Sequence, residues 1–440
     1  MKEPTRRLPL RGADLALFAM YYRYVRTPAS HNTVTVVECD RPIADERLRR
    51  ALHRLLEVCP WPASRLRRAL PWGALHWAAG PRETLTPPPV RHLSVSSSEA
   101  FQDAIEAELN RTIDPWHESP LRFLVVDGPN EVTGGHGFLV MTWFHSLMDP
   151  RGAENLLKHL ADLDAEGDER QGEDTFPAFI GGRDPRTRGE RARLGRKNLA
   201  YMRTLATTPT VSLGTGVATF GRARFWQGTF GDQDPIGNGK RATRDICWRL
   251  ALVGKALGAL WEQRRLPDIP YVVPISIDLR PKGDAGPVIG NWLAFHFVRF
   301  TPSETADVVG LAKSLRRQMT EAIRDGQLDA NAAGMEFLKY RPLWMMARAL
   351  PGGPNAEMCS FNCADTMDFA LPPDALFGGR VVNGYHVPAI LPSPGVGVFF
   401  NRYGASSNLV VSWIDGVASD DDVAQIVEVV REGMGWAKHS

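Results

Sequence analysis

The sequence predicts an α/β protein, with α+β layers of helices and strands, that is divided into two halves of similar build. Its 440 residues exceed the roughly 100–200 residues of one ordinary domain. Segments with the apolar period of helices alternate with short apolar runs typical of strands, and this mixture occurs in both halves. We therefore expect an N-terminal half over residues 1–165, a crossover linker over 166–200 and a C-terminal half over 201–440.

The N-terminal half contains helical patterns on either side of a strand pair. Leucines recur at helical spacing over residues 43–58, and prolines directly after this segment end the helix. A second helical pattern covers 99–109. The apolar runs 121–126 and 138–144 flank a glycine-rich loop, which predicts adjacent strands. A further helix begins at Pro150.

The C-terminal half repeats the mixture of helical periods and apolar runs. The glycine-containing turn GASS separates its last two strands. The expected elements are, in order, a helix over 244–264, strands over 271–277 and 292–300, a helix over 303–324, strands over 396–403 and 408–415, and a short closing helix.

Composition and charge exclude several classes of protein. The 52 basic and 50 acidic side chains nearly cancel, so there is no global field to capture nucleic acid. The five cysteines favour a reducing compartment over a disulfide framework. Cys359 and Cys363 have no second ligand pair, so we expect no metal site. No apolar stretch of about 20 residues is present, and we expect a soluble, cytoplasmic protein without a transmembrane segment.

The segment FHSLMDPRG, residues 144–152, carries the strongest chemical signal. An apolar strand ends at His145, and Asp149 followed by Pro150 suits the N-cap and first position of a helix. A neutral imidazole at this junction could accept a proton from a hydroxyl or an amine. From the residues alone, His145 also fits a hydrogen-bonded core histidine, and Asp149 also fits a carboxylate that only caps the helix.

This segment resembles the HHxxxDG motif of the CoA-dependent acyltransferase superfamily. That superfamily includes chloramphenicol acetyltransferase, condensation domains, wax ester synthases and polyketide-associated acyltransferases. His145 matches the second, catalytic histidine of the motif, and Asp149 matches its aspartate, which forms a structural ion pair with an arginine. Phe144 stands at the position of the first histidine, and Pro150 stands at that of the glycine, with Gly152 close by.

Three further segments extend the resemblance over most of the chain. The opening PLRGADLALFAMYY is similar to the family's first strand, with the helix over 43–58 following it. PISIDLRPKGDAGPVIGN is similar to wax-synthase-like members, and its Arg280 matches the partner expected for Asp149. In CSFNCAD, Ser360 and Asn362 stand in for polar residues of the family. The plant sequence DFGWG is absent, so the chain is nearer the bacterial members.

The resemblance implies two chloramphenicol-acetyltransferase-like halves that form a V-shaped pseudodimer with a central tunnel. It implies an acyl-CoA or phosphopantetheinyl carrier-protein donor, a small-molecule alcohol or amine acceptor, and no permanently bound cofactor. His145 would deprotonate the acceptor, and a pair of Asp149 with Arg280 would hold its turn. The candidate oxyanion or substrate residues are Gly152, Ser360, Asn362 and Asn291.

Several alternatives stay open at this stage. We expect ester formation, in natural product biosynthesis, but a free-standing condensation enzyme that forms amides also fits. A non-catalytic condensation-like module that binds a carrier protein is favoured by Phe144 and Pro150. Arg280 also fits the role of an exposed charge at a strand end, and Asn291 also fits that of a turn residue. We interpret other histidines as structural: His136, His296 and His386.

A basic cluster within the expected linker has two interpretations. It fits a solvated linker and helix face, which is what charged runs usually are. It also fits an electropositive surface for CoA phosphates or for an acidic carrier protein. Its members are Arg183, Arg186, Arg188, Arg191, Arg193, Arg196 and Lys197.

Overall fold

The computed structural model places most of the chain. The described residues are 6–24, 31–69, 73–165, 186–217, 219–231, 245–280, 289–349, 357–371, 375–388 and 390–436. Residues 166–185 of the expected linker, with Arg183, lie outside them, as do residues 281–288 after Arg280.

Helices and strands intermix along the whole described chain. The α-helices are α1 Gly12–Tyr24, α2 Asp45–Val58, α3 Ser98–Asn110, α4 Asn130–Thr133, α5 Pro150–Ala165, α6 Arg188–Ala206, α7 Ile246–Gln263, α8 Val308–Arg324, α9 Gln327–Glu336, α10 Leu343–Ala349 and α11 Asp420–Met434. The strands are β1 Arg6–Pro9, β2 Asn32–Cys39, β3 Arg65–Arg68, β4 Leu75–Ala79, β5 Val90–Ser94, β6 Leu121–Asp127, β7 Gly137–Phe144, β8 Ala223–Gly231, β9 Tyr271–Asp278, β10 Leu293–Phe300, β11 Asn362–Asp368, β12 Ala375–Leu376, β13 Gly379–Pro388, β14 Val396–Tyr403 and β15 Ser406–Ile414.

Two larger sheets organise the fold. One has six strands in the order β12-β13-β2-β7-β6-β5, and the other has four in the order β11-β14-β15-β8. Strands β9 and β10 pair with each other, and β1, β4 and β3 form a small sheet. Strand β13 comes from the second half of the sequence but pairs antiparallel with β2, with His386 opposite Thr35. The six-stranded sheet is therefore built from both halves of the chain.

The predicted helices over 43–58, 99–109 and 244–264 are confirmed as α2, α3 and α7. The predicted strands over 121–126 and 138–144 are present as the antiparallel pair β6 and β7, and those around the GASS turn are the antiparallel pair β14 and β15. The strands predicted over 271–277 and 292–300 are present as β9 and β10, which the structure pairs antiparallel. The predicted helix over 303–324 begins later, at Val308, because Asp307 caps it through the backbone N–H of Gly310.

The opening segment differs from the expected strand. Residues 12–24 form helix α1, and only Arg6–Pro9 before them is extended. Most residues of α1 are buried, including Leu15, Phe18 and Tyr21. A helix that is apolar on all sides shows no amphipathic period, so its sequence is not distinguished from that of a buried strand.

Burial on both faces explains the continuous apolar runs of the central strands. In β6, Phe123 and Val125 belong to one core cluster, whereas Leu124 and Val126 belong to another. A strand covered on both faces needs no polar residue at alternate positions. None of the helices in the described stretches has the length and hydropathy needed to cross a bilayer.

Candidate active site

His145 is the first residue after β7, and it opens onto a large cavity. The side chain is half-buried and lines a cavity of about 650 Å³. Its Nδ1 is sealed from solvent inside the protein. The ring therefore offers Nε2 to the cavity, which is where a substrate would meet it.

Asp149 and Arg280 form a bidentate ion pair behind this histidine. Arg280 Nη2 donates to Asp149 Oδ1 at 2.7 Å, and Nη1 donates to Oδ2 at 3.0 Å. The aspartate is 1% exposed, and the arginine side chain is 11% exposed. Two parallel N–H···O bonds between a guanidinium and a carboxylate fix orientation as well as distance.

The backbone around the pair is held by the same two side chains. Asp149 Oδ2 also accepts from the backbone N–H of Trp292 at 2.9 Å. Arg280 Nη2 donates to the carbonyl of Gly290 at 2.9 Å. These bonds join the turn after β7 to the segment before β10, two parts of the chain that are far apart in sequence.

The backbone N–H of Gly152 is already hydrogen-bonded within the protein. Its backbone N–H donates to Asp149 Oδ1 at 2.8 Å, which is the N-cap bond of α5. A Cβ at this position would lie 1.7 Å from the carbonyl oxygen of Ile289. The glycine is thus needed for the close approach of two backbones, and its own N–H is already bonded to Asp149. An oxyanion role for the backbone near Gly152 stays a prediction.

Asn291 is likewise bonded within the protein. Its Nδ2 donates to the backbone carbonyl of His145 at 3.0 Å and to Asp14 Oδ1 at 2.9 Å. Burial raises the pKa of Asp14 to about 7, although hydrogen bonds from Arg11 and Asn291 oppose the shift. The amide nitrogen therefore positions the catalytic candidate's backbone and does not face the cavity.

The two remaining oxyanion or substrate candidates are separated by the structure. Ser360 is 1% exposed, and it exchanges hydrogen bonds with the backbone of Val272 through its own N–H and its Oγ. It does not line the cavity. Asn362, the first residue of β11, is half-buried and does line it.

His31 is a site residue that sequence reasoning missed. It directly precedes β2, whose Asn32 pairs with Phe144 of β7. The His31 and His145 rings are 5.8 Å apart between centroids, and His31 also lines the cavity. Burial, reinforced by His145, lowers the pKa of His31 to about 3. No local pattern marks it, because only the pairing of β2 with β7 brings the two rings together.

The cavity walls come from both halves of the sequence and are mainly apolar. Helix α6, which contains the later part of the expected linker, forms one wall through Leu199 and Met202. Arg196 of α6 and Arg341 line the cavity as exposed side chains. Apolar lining residues from the other elements include Leu17, Met20, Phe295, Phe297, Met335 and Phe399.

The electrostatics of the site leave its imidazoles neutral. Burial lowers the pKa of His145, and the neighbouring Asp149 carboxylate opposes the shift. A neutral imidazole at pH 7 has a lone pair that can accept a proton. This arrangement can deprotonate a hydroxyl or amine held in the cavity.

The two cysteines near this centre have neutral thiols. Cys359 and Cys363 are free and buried, and burial raises the pKa of both thiols. Within the described ranges, no three His, Cys, Asp or Glu side chains are grouped so as to hold a metal ion.

No protein-family model matches the sequence, and no curated protein matches it. Solved structures do match over nearly the whole chain.

Trichothecene 15-O-acetyltransferase from Fusarium sporotrichioides is similar with a TM-score of 0.71 and 11% identity, over 98% of this chain and 94% of that one. The first condensation domain of the calcium-dependent antibiotic synthetase is similar with a TM-score of 0.66 and 16% identity, over 98% and 96%. Polyketide synthase associated protein 5 from Mycobacterium tuberculosis is similar with a TM-score of 0.60 and 17% identity, over 97% of each chain. The chain therefore has the condensation-domain fold that its resemblance to the CoA-dependent acyltransferase superfamily predicted.

Proposed function

We propose that this protein is an acyltransferase that moves an acyl group from a CoA or carrier-protein thioester to a hydroxyl, forming an ester. The observation that carries the proposal is the setting of His145. Its ring faces a cavity of about 650 Å³, and the backbone around it is tied by Asn291 and by the Asp149–Arg280 pair. A general base needs both this access to substrate and this fixed orientation.

The proposed reaction proceeds by general base catalysis. His145 Nε2 takes the proton of the acceptor hydroxyl while the hydroxyl oxygen forms a bond to the carbonyl carbon of the thioester. The carbonyl electron pair moves onto oxygen and gives a tetrahedral oxyanion. When this intermediate collapses, the C–S bond breaks, and the departing thiolate takes the proton from the imidazolium. The ester and a free thiol are released, and His145 is neutral again.

The character of the cavity supports a thioester donor with an apolar acyl group. Leu17, Phe295 and Met335 offer apolar surface for such a chain. The exposed Arg196 and Arg341 offer cationic groups to the phosphates of CoA or phosphopantetheine. One similar solved structure, the starter condensation domain of rhizomide synthetase, is a complex with C8-CoA and Leu-SNAC.

Two other functions remain as alternatives. The similar condensation domains favour an amine acceptor and an amide product, whereas the similar trichothecene enzyme is an O-acetyltransferase. A non-catalytic module that binds a carrier protein is consistent with Phe144 and Pro150 at two motif positions. The access of His145 to the cavity supports catalysis over this module.

A thiol-release assay tests the proposal. The purified chain would be given acetyl-, octanoyl- or palmitoyl-CoA, or the same acyl groups on a carrier protein, with paired alcohol and amine acceptors. We expect thiol release that requires His145 and disappears in His145→Ala. His159→Ala is the matched control, because His159 is a half-buried histidine outside the cavity. Mass spectrometry of the product distinguishes ester from amide.

Failure of this assay has a clear meaning. If none of these thioesters is consumed and the chain still binds a loaded carrier protein, the binding-module alternative replaces the enzyme.

We further propose a cytoplasmic location and a role in natural product biosynthesis. The five cysteines support the location, because all are free thiols and a reducing compartment keeps them so.

A further inference from the structure

The proposed reaction needs a donor for its oxyanion, and the residues expected from the sequence are largely committed elsewhere. The Gly152 N–H bonds Asp149, and Ser360 bonds the backbone of Val272. The amide nitrogen of Asn291 holds Asp14 and the carbonyl of His145. Asn362 is the expected candidate that does line the cavity. A second polar side chain of the lining lies directly beside His145.

His31 stands in that position. It is 5% exposed, lines the cavity, and accepts the backbone N–H of His145 through its own carbonyl at 3.3 Å. Its Nδ1 is sealed and has no hydrogen-bond partner in the described parts of the chain. The rings of Tyr21 and Phe144 pack at 6.3 and 6.0 Å from it between centroids. An imidazole with a sealed Nδ1 presents its Nε2 to the cavity.

We propose that His31 is a second catalytic residue, whose Nε2–H donates a hydrogen bond to the oxyanion that forms beside His145. This assignment rests on the proposed acyl transfer. It also accounts for Phe144, which stands where the motif has its first histidine. In this chain His31, directly before strand β2, places an imidazole beside His145 instead.

The spacing of the two rings suits a shared reacting centre. A hydrogen bond joins heavy atoms about 2.7–3.1 Å apart, so two side chains that contact one tetrahedral centre must be close neighbours. The ring centroids are 5.8 Å apart. One imidazole then accepts the proton of the acceptor, and the other stabilises the charge that appears on the carbonyl oxygen.

The proton balance assigns each ring one task. His145 gains the acceptor proton and returns it to the leaving thiolate. His31 keeps its Nε2 proton throughout and donates it only as a hydrogen bond. A donor aimed at developing charge stabilises the transition state more than bound substrate, so its loss lowers kcat.

Substitutions at His31 test the assignment. The amide nitrogen of glutamine reaches about as far as Nε2 of histidine, whereas that of asparagine reaches only as far as Nδ1. We expect His31→Phe and His31→Asn to lower kcat by roughly 100- to 1000-fold with little change in KM. His31→Gln should recover at least about tenfold of that loss, and His159→Phe should leave kcat near wild type. Circular dichroism of each variant reports whether it folds.

Two probes separate this proposal from the proposed function. The variants would be assayed with octanoyl-CoA and with p-nitrophenyl octanoate, an oxygen ester whose cleavage passes through the same type of oxyanion. Loss of kcat in folded His31→Phe with recovery in His31→Gln supports the assignment on either probe. Normal kcat in folded His31→Phe, equal kcat in the Gln and Asn variants, or a change in KM alone overturns it. Turnover of the oxygen ester without octanoyl-CoA argues against CoA as donor, and no turnover of either probe overturns both proposals.

Discussion

Replacement of Arg280 by methionine is the most informative change to the candidate site. The substitution leaves the carboxylate of Asp149, which is 1% exposed, with the backbone N–H groups of Gly152 and Trp292 as its hydrogen-bond donors from the described part of the chain. It also removes the bond from the guanidinium to the carbonyl of Gly290. Breaking a buried ion pair by removing one partner costs about 3–5 kcal/mol. Because two donors remain, we expect Arg280→Met to lower the free energy of unfolding by about 3 kcal/mol.

A double-mutant cycle measured by urea unfolding checks this value. Asp149→Asn removes the buried charge, so adding it to Arg280→Met should restore part of the lost stability. The coupling energy should reach about 1–3 kcal/mol. Arg324→Met is the control, because Arg324 and Asp325 form an exposed pair of the kind that contributes about 0–1 kcal/mol. A loss below about 1 kcal/mol in Arg280→Met, or an additive cycle, would refute the reasoning.

The same variant should affect turnover through His145. The ion pair ties the turn that carries the histidine to the segment before β10, so loosening it misplaces the base. We expect kcat to fall by roughly 10- to 100-fold with a smaller change in KM, since a small misplacement of a catalytic group can cost about 100-fold. Unchanged kcat in folded Arg280→Met would mean that the pair supports stability alone.

The remaining predictions concern close packing and protonation. Gly152→Ala should destabilise the fold by about 3 kcal/mol or more in urea unfolding, because the new Cβ would lie 1.7 Å from the carbonyl oxygen of Ile289. Gly189→Ala is the control, because a Cβ there meets no atom within 4 Å, and it should be nearly neutral. Burial lowers the pKa of His145 from its ordinary 6.5, so the base is still neutral somewhat below pH 6.5. The acid limb of a plot of kcat/KM against pH should therefore have its midpoint below 6.5, and a midpoint at or above 6.5 would contradict the shift. His31, whose pKa falls from 6.5 to about 3 in the fold, takes up a proton more readily when unfolded, so stability is lost as the pH falls from 6.5 towards 3. Wild type should therefore lose about 2 kcal/mol more than His31→Gln between about pH 7 and pH 5, and equal pH dependence in chemical denaturation would contradict the buried, neutral state.

Element types were predictable wherever the apolar period is local and one-sided. The period of α2 alternates buried leucines with charged residues, and the strand pairs around short turns follow from their apolar runs. Helix α1 was mistaken for a strand because burial surrounds it. The strand β2 was not identified at all, although it pairs with β7 at the centre of the larger sheet.

The catalytic candidate could be found from the sequence because its signal is contiguous. Nine consecutive residues, 144–152, contain the strand end, His145, Asp149 and the first turn of the helix. The resemblance of this segment implied an arginine partner for Asp149, and the resemblance of the later segment PISIDLRPKGDAGPVIGN supplied Arg280 as that partner. The roles expected for Gly152, Asn291 and Ser360 could not be judged in this way, because hydrogen bonds already formed inside the fold decide whether a polar group is free for substrate.

The sequence by itself determined the mixed α/β character, the helices and strands that have a local apolar pattern, and the position of His145 at a strand end, since these depend on neighbouring residues along the chain. Only the tertiary structure decided that β13 joins the first half's sheet, that Asp149 meets Arg280 across 131 residues, and that His31 lies beside His145. These contacts depend on strand order and packing between distant segments. No local period of apolar residues encodes such an order, so the second imidazole of the cavity became visible only once β2 was paired with β7.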